Sequence, residues 1–254
     1  MKHALLNSRT MIPRTVRWVA TTVVASTLFV APIGCSHPRP AQVPQSKTNG
    51  EDQQAIVERA AMALTRMRQN PRFAGVDAYI SHAQAIMIFP RVIKAAVLFG
   101  GEGGNGVLMS RGTDGRWSNP AFYSLGAPSI GLQAGYQEAT VVLFIMDRRT
   151  LEQALDSSLT LGASSGATLG TIGERDTTAN TVDKANVYQM VESGGVYAGL
   201  SLAGYVISAR AQHNLEYYGK ARAPREIVIE RMAQRTDAKV LCDALTPRGS
   251  QMAN

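Results

Sequence analysis

From residue 51 onward the apolar positions change period along the chain. Between Glu51 and Asn70 they recur at helical spacing. Ile56, Val57, Ala60, Leu64 and Met67 fall on one stripe, Arg59 and Arg66 lie opposite, acids fill the first turn and Pro71 follows. This predicts an amphipathic helix that packs on its own domain; the alternative is a helix lying on a membrane through its arginines. From Gln84 the pattern becomes that of strands. Ala85–Phe89 ends at Pro90, and Ala95–Phe99 and Val107–Met109 flank a glycine cluster. Phe122–Tyr136 and Thr140–Met146 follow, and Val187–Val191 and Val196–Leu202 are separated by the hairpin signal Ser193-Gly194-Gly195. Arg148–Ser157 reads as a short helix between sheet segments, and Pro224–Gln234 and Asp237–Leu245 read as closing helices.

The connections between strands are too short for repeated βαβ crossovers, so the sheet is expected to be mainly antiparallel. Glycines inside the strands (Gly126, Gly131, Gly135, Gly199, Gly204) predict strong coiling or barrel-like closure. The fold class is α+β: a strongly curved, barrel-like sheet with an N-terminal amphipathic helix, a short mid-chain helix and closing C-terminal helices.

The first 50 residues follow different rules. Met1 to Arg17 is basic, Trp18 to Val30 is an apolar run, and Ala31-Pro32-Ile33-Gly34-Cys35 closes it with small residues. A bilayer-spanning helix needs about 20 apolar residues, so a cleaved export signal fits better than an anchor helix. Gly34-Cys35 resembles a bacterial lipobox, in which the cysteine is acylated after cleavage behind Gly34; Pro32 departs from that pattern. Ser36 lacks the Asp that marks inner-membrane retention, which points to an outer-membrane lipoprotein on the periplasmic face. The alternative is ordinary cleavage and a soluble periplasmic protein. Residues 36–50 hold three prolines and read as a tether. The division is signal 1–34, acylated Cys35 and tether 35–50, one domain 51–245, and tail 246–254.

Composition narrows the function classes. Hydrophobic residues at 45% and charged residues at 18% describe a globular chain. The formal charge of +7 is concentrated at the start: Lys2, Arg9, Arg14 and Arg17 lie in residues 1–34, and the remainder carries 22 basic against 19 acidic side chains. A nucleic-acid groove is not supported by that balance. Besides Cys35 there is only Cys242, in an apolar context, so no disulfide, redox pair or metal pair is expected. His37 and His82 are isolated, no metal cluster can be assembled from histidines, and no cofactor is implied.

Two enzyme motifs occur in the wrong setting. Gly101-Glu102-Gly103-Gly104-Asn105-Gly106 matches G-x-G-x-x-G, but Val107–Met109 after it reads as a strand, and a dinucleotide site needs a helix there. A glycine-rich hairpin is the better account. Gly162-Ala163-Ser164-Ser165-Gly166 matches a nucleophile elbow, with Asp176 or Asp183 and then His213 in hydrolase order. The half-polar run Ser158–Leu161 before it and the poor helix after it do not fit. The chain is read as non-enzymatic, with a cryptic hydrolase at Ser164 as the remote alternative.

Six strings taken together resemble the SYLF domain family, a lipid-binding module of bacterial exported proteins and of eukaryotic membrane and actin-cortex proteins. They are Ala85–Pro90 with Lys94 and Gly106–Met109, Gly115–Phe122, Gly131–Gln137, Ala185–Tyr188, Tyr197–Gly204 and Asn214–Gly219, covering roughly residues 55–220 in the family's order. Two departures remove positive charge: Glu102 stands where many members carry Lys, and Glu192-Ser193-Gly194-Gly195 replaces a more basic turn. The resemblance implies binding of an anionic, phosphoinositide-like headgroup at the cell envelope. Backbone amides of glycine loops and bidentate arginines suit such a ligand. The candidate headgroup residues are Arg59, Arg66, Arg68 and Arg72 near the first helix, and Arg91 and Lys94 beside the first strand. A solvated basic face is the bland reading of any one of them. A structural or protein-binding envelope domain without lipid is the alternative function.

Overall fold

The computed structural model describes residues 50–97, 99–129, 135–162, 167–172, 185–193 and 202–246. Gly50, in left-handed backbone at φ 75°, turns the chain into helix α1, Glu51–Gln69, which stops at extended Asn70 ahead of Pro71. A 3-10 turn at Pro71–Phe73 and helix α2, Val76–His82, lead to the sheet. Its strands are β1 (Ala85–Val97), β2 (Phe99–Ser110), β3 (Ala121–Ser129), β4 (Gly135–Ile145), β5 (Leu159–Thr160), β6 (Leu169–Thr171), β7 (Val187–Ser193) and β8 (Val206–Ala209). Helix α3, Arg148–Asp156, falls between β4 and β5. Helices α4 (Ala211–Tyr218), α5 (Pro224–Val228) and α6 (Lys239–Leu245) close the domain.

The eight strands lie in the order β5-β8-β3-β2-β1-β4-β7-β6 and form a strongly curled half-barrel. Every neighbouring pair is antiparallel except β6 with β7. The α+β class and the curled antiparallel sheet agree with the reading of the sequence. Both sheet faces are buried. Ile86 and Ile88 of β1, Val107 of β2 and Val142 and Phe144 of β4 meet Val57, Leu64 and Met67 of α1, with α2, α4 and α6 around them. Met87 and Phe89, Leu108, Tyr123, Val141 and Leu143 face the other way, toward Leu151 of α3 and Ile227 and Val228 of α5. Two-sided burial explains why the strands read as unbroken apolar runs rather than as alternation.

Several boundaries differ from the sequence reading. Ala85–Phe89 and Ala95–Phe99 are largely one strand, because β1 runs straight through Pro90 on a bulge. The β4 register shifts between Phe89 and Val92, and the β2 register between Ile88 and Ile93. A bulge is where a proline, having no N–H to give the ladder, is tolerated inside a sheet. The glycine cluster is likewise not the turn of the β1–β2 hairpin but the body of β2. A Cβ on Gly104 would stand 2.2 Å from the Arg91 carbonyl oxygen, and one on Gly106 2.3 Å from that of Ile88. Glycine is required there because the bulged strand passes so close. Phe122–Tyr136 divides between β3 and β4, which are not neighbours in the sheet. The closing helix at Pro224 ends at Val228, and Arg231 then takes φ 55°. Helices α2 and α4 were not anticipated. The hairpin at Ser193-Gly194-Gly195 lies largely outside the described residues.

Candidate functional site

The outward side of α1 carries Arg59, Met62 and Arg66 at positions i, i+3 and i+7, which places them on one stripe. Met62 is 61% exposed, the most exposed large apolar side chain among the described residues. Arg59 is exposed and makes no ion pair among the described residues. Arg66 reaches sideways to the sheet. Its Nε donates to one carboxylate oxygen of Glu192 at 2.7 Å, a terminal nitrogen stands 2.6 Å from the same oxygen, and that nitrogen donates to Thr140 Oγ1 at 3.2 Å. Thr140 Oγ1 in turn donates to the Pro90 carbonyl at 3.1 Å, so the β1 bulge holds the hydroxyl that holds Arg66. Arg66, Glu138, Ala139, Thr140, Glu192 and Ser193 line an open cleft of 420 Å³ there.

The other candidate cations are not gathered into this cleft. Arg68, only two residues from Arg66, points inward: its side chain is 5% exposed and its Nε is 2.7 Å from Asp77 Oδ1. Its NH1 donates to the carbonyls of Ala244 and Thr246 at 2.6 and 3.1 Å, which ties α1 to the end of α6 and to α2. That is a structural clamp. Arg72 lies exposed in the 3-10 turn, its amide donating to Asn70 Oδ1. Arg91, at the bulge, pairs with Glu138 at 3.0 Å, and Lys94 pairs with Glu102 across the β1–β2 register. Glu102 and Glu192, the two acids that depart from the resemblance, are thus the partners of two candidate cations. Cross-strand register creates these pairs, and no linear pattern announces Glu138.

The elbow motif fares differently. Ser164, Asp176 and Asp183 lie outside the described residues, as does Cys35. The segment just before Ser164 is β5, a two-residue strand at the sheet edge, antiparallel to β8. A nucleophile elbow needs a buried parallel strand in that place. His213 sits on α4, edge-on to Phe122 at 6.2 Å between centroids. Burial, then the Arg210 guanidinium, holds its imidazole below the usual value, against opposing pulls from Glu216 and Asp52. Asn214 beside it is fully buried and accepts the Phe122 amide at 2.9 Å, docking α4 on β3. Cys242 packs partly buried against the α1-side core, where burial pushes its thiol up and away from the reactive thiolate. Among the described residues no helix is long and apolar enough to cross a membrane, and no three His, Cys, Asp or Glu side chains could hold a metal.

Among the described residues, a curled sheet buried on both faces is packed by a helix with an exposed arginine–methionine stripe. Residues 126–247 match the family described as "Ysc84: Las17-binding protein actin regulator". The chain is similar to SH3 domain-containing YSC84-like protein 1 of Xenopus laevis, 31% identical over 172 residues, covering 65% of this chain and 50% of that protein. The human protein of the same name is 29% identical over 175 residues, 66% of this chain and 51% of its own length. Protein YSC84 of Saccharomyces cerevisiae is 31% identical over 133 residues, 50% of this chain and 28% of that protein. Residues 126–247 thus match the domain of this Ysc84 family, the SYLF domain. The chain spans about half the length of the YSC84-like relatives it matches. The family's description is that of a binding protein and regulator.

Proposed function

We propose that the chain is a non-catalytic, membrane-anchored module that binds anionic phospholipid headgroups at the bacterial envelope. The observation that carries this reading is the outer stripe of α1. An exposed methionine between two arginines suits the boundary of a membrane, where the apolar side chain enters and the guanidinium groups stay among phosphates. The sequence supports the address: an export signal, Cys35 as the acylated residue, and a tether that lets the domain stand off the outer membrane. The mature charge is small, so attraction is local rather than a general field. Replacing Cys35 by Ala should release a folded domain from the membrane fraction. Recovery of wild-type protein wholly in the soluble fraction, with Cys35 unmodified or removed, overturns the anchor.

A second reading has its own support. The matched family's description is of Las17-binding actin regulators, which favours an envelope protein partner bound by the same domain without lipid. Flotation of the protein with vesicles separates the two, because only the first reading requires vesicle binding. Acyl hydrolysis at Ser164 is the remote alternative, and absence of labelling by a fluorophosphonate at that residue rejects it.

A further inference from the structure

Arg66 already holds an anion. Two of its nitrogens close on one carboxylate oxygen at 2.7 and 2.6 Å, in an open cleft. Charge-assisted contacts of this kind are how guanidinium groups hold phosphate and carboxylate ligands. Here the anion is the chain's own Glu192. The pair is exposed to solvent, with side-chain exposures of 58% for Arg66 and 21% for Glu192. Exposed ion pairs are individually weak and are screened by salt, so another anion can compete for the cation. The guanidinium is fixed independently of Glu192, because buried Thr140 accepts from it while donating to Pro90. Glu192 lies one residue from the end of β7 as described, opposite Thr140 in the β4 register. Removing its carboxylate from Arg66 therefore need not disturb the sheet.

We propose that Glu192 occupies an anion subsite centred on Arg66, and that a phosphate-bearing headgroup binds there by displacing the Glu192 side chain. Arg66 keeps an anionic partner throughout the exchange, while the displaced Glu192 carboxylate and Glu138 remain beside the cleft and oppose the incoming anion. Glu192 is then the residue that sets how tightly the module holds anions. This inference rests on the lipid-binding reading for the source of the phosphate, but the subsite itself does not.

The test uses the full chain, with phosphatidylcholine vesicles with and without phosphatidylglycerol, and inorganic phosphate in a separate titration. Glu192→Gln should tighten binding to the anionic vesicles by about two- to fivefold at low salt, the ratio that loss of a weak competing ion pair allows. Binding to phosphatidylcholine alone should not change. Adding Arg66→Gln to Glu192→Gln should abolish the gain, which a general change in surface charge would not explain. Glu192→Ser, with an unfolding curve for each variant, guards against a folding artefact. An unchanged affinity in folded variants, or a gain that survives Arg66→Gln, overturns the subsite. Absence of vesicle binding together with tighter, Arg66-dependent phosphate binding in Glu192→Gln sinks the lipid source and supports the subsite.

Discussion

The inner and outer sides of α1 put the same residue type into two environments. Arg68 enters the protein and spends its guanidinium on Asp77 and on two carbonyls at the end of α6. Arg59 and Arg66 stay at the surface with Met62 between them, and the Arg66–Glu192 ion pair is open to solvent. Helical spacing decides this: a shift of two residues rotates a side chain by more than half a turn, from outward face to core seam. A basic helix is therefore not one feature but two. Its inner arginine ties elements together, and its outer arginines face solvent.

The largest effect expected from that contrast is on the inner side. Arg68→Gln leaves Asp77 and the α6 carbonyls without their partner, and loss of one member of a buried pair costs about 3–5 kcal/mol. Asp77 is itself half-exposed, which places the expected loss at the low end, about 3 kcal/mol, read from urea unfolding. Arg59→Gln and Arg66→Gln should each stay within about 0.5 kcal/mol of wild type. Equal destabilisation by all three would erase the distinction. A second break point is the β1 bulge that supports Thr140 and, through it, Arg66. Gly104→Ala puts a Cβ against the Arg91 carbonyl, and overpacking against backbone costs about 1–3 kcal/mol. The same variant should loosen the cleft, visible as changed amide shifts at Thr140 and Glu192.

The smallest effect concerns pH. His213 is held below its ordinary pKa by burial and by Arg210. As pH falls through about 6.5 the unfolded chain takes up this proton before the folded chain does, so stability declines and levels off below the folded-state pKa. His213→Asn should flatten the difference in unfolding midpoint between neutral and mildly acidic buffer. A slope identical to wild type would assign the pH dependence to other groups.

Much of this architecture was legible in the chain. The α1 stripe, the apolar strand runs and the short helix at Arg148–Ser157 each follow from local rules, and the structure keeps them. Pro90 misled because a proline ends a strand unless a bulge receives it, and the bulge depends on glycines fourteen and sixteen residues later. Helix α4 escaped notice because its buried side includes Asn214, a polar residue that serves β3 rather than an apolar stripe. The site was legible only as a set of cations. Which of them were already paired depended on strand register, since Glu102, Glu138 and Glu192 come from β2, β4 and β7. Arg66 and Arg68 could be told apart by helical phase, but only once the position of α6 was known.

The most direct measurement is flotation of the full chain with anionic vesicles at low salt, comparing wild type with Arg59→Gln/Met62→Gln/Arg66→Gln. A juxtamembrane basic residue contributes about 1 kcal/mol, so loss of two arginines in the triple variant should weaken binding by about 2 kcal/mol, roughly thirtyfold. Its unfolding curve should match wild type, and neutral vesicles should not distinguish the two proteins. A folded triple variant that floats as well as wild type would contradict the assignment of the outer face of α1 to headgroup recognition.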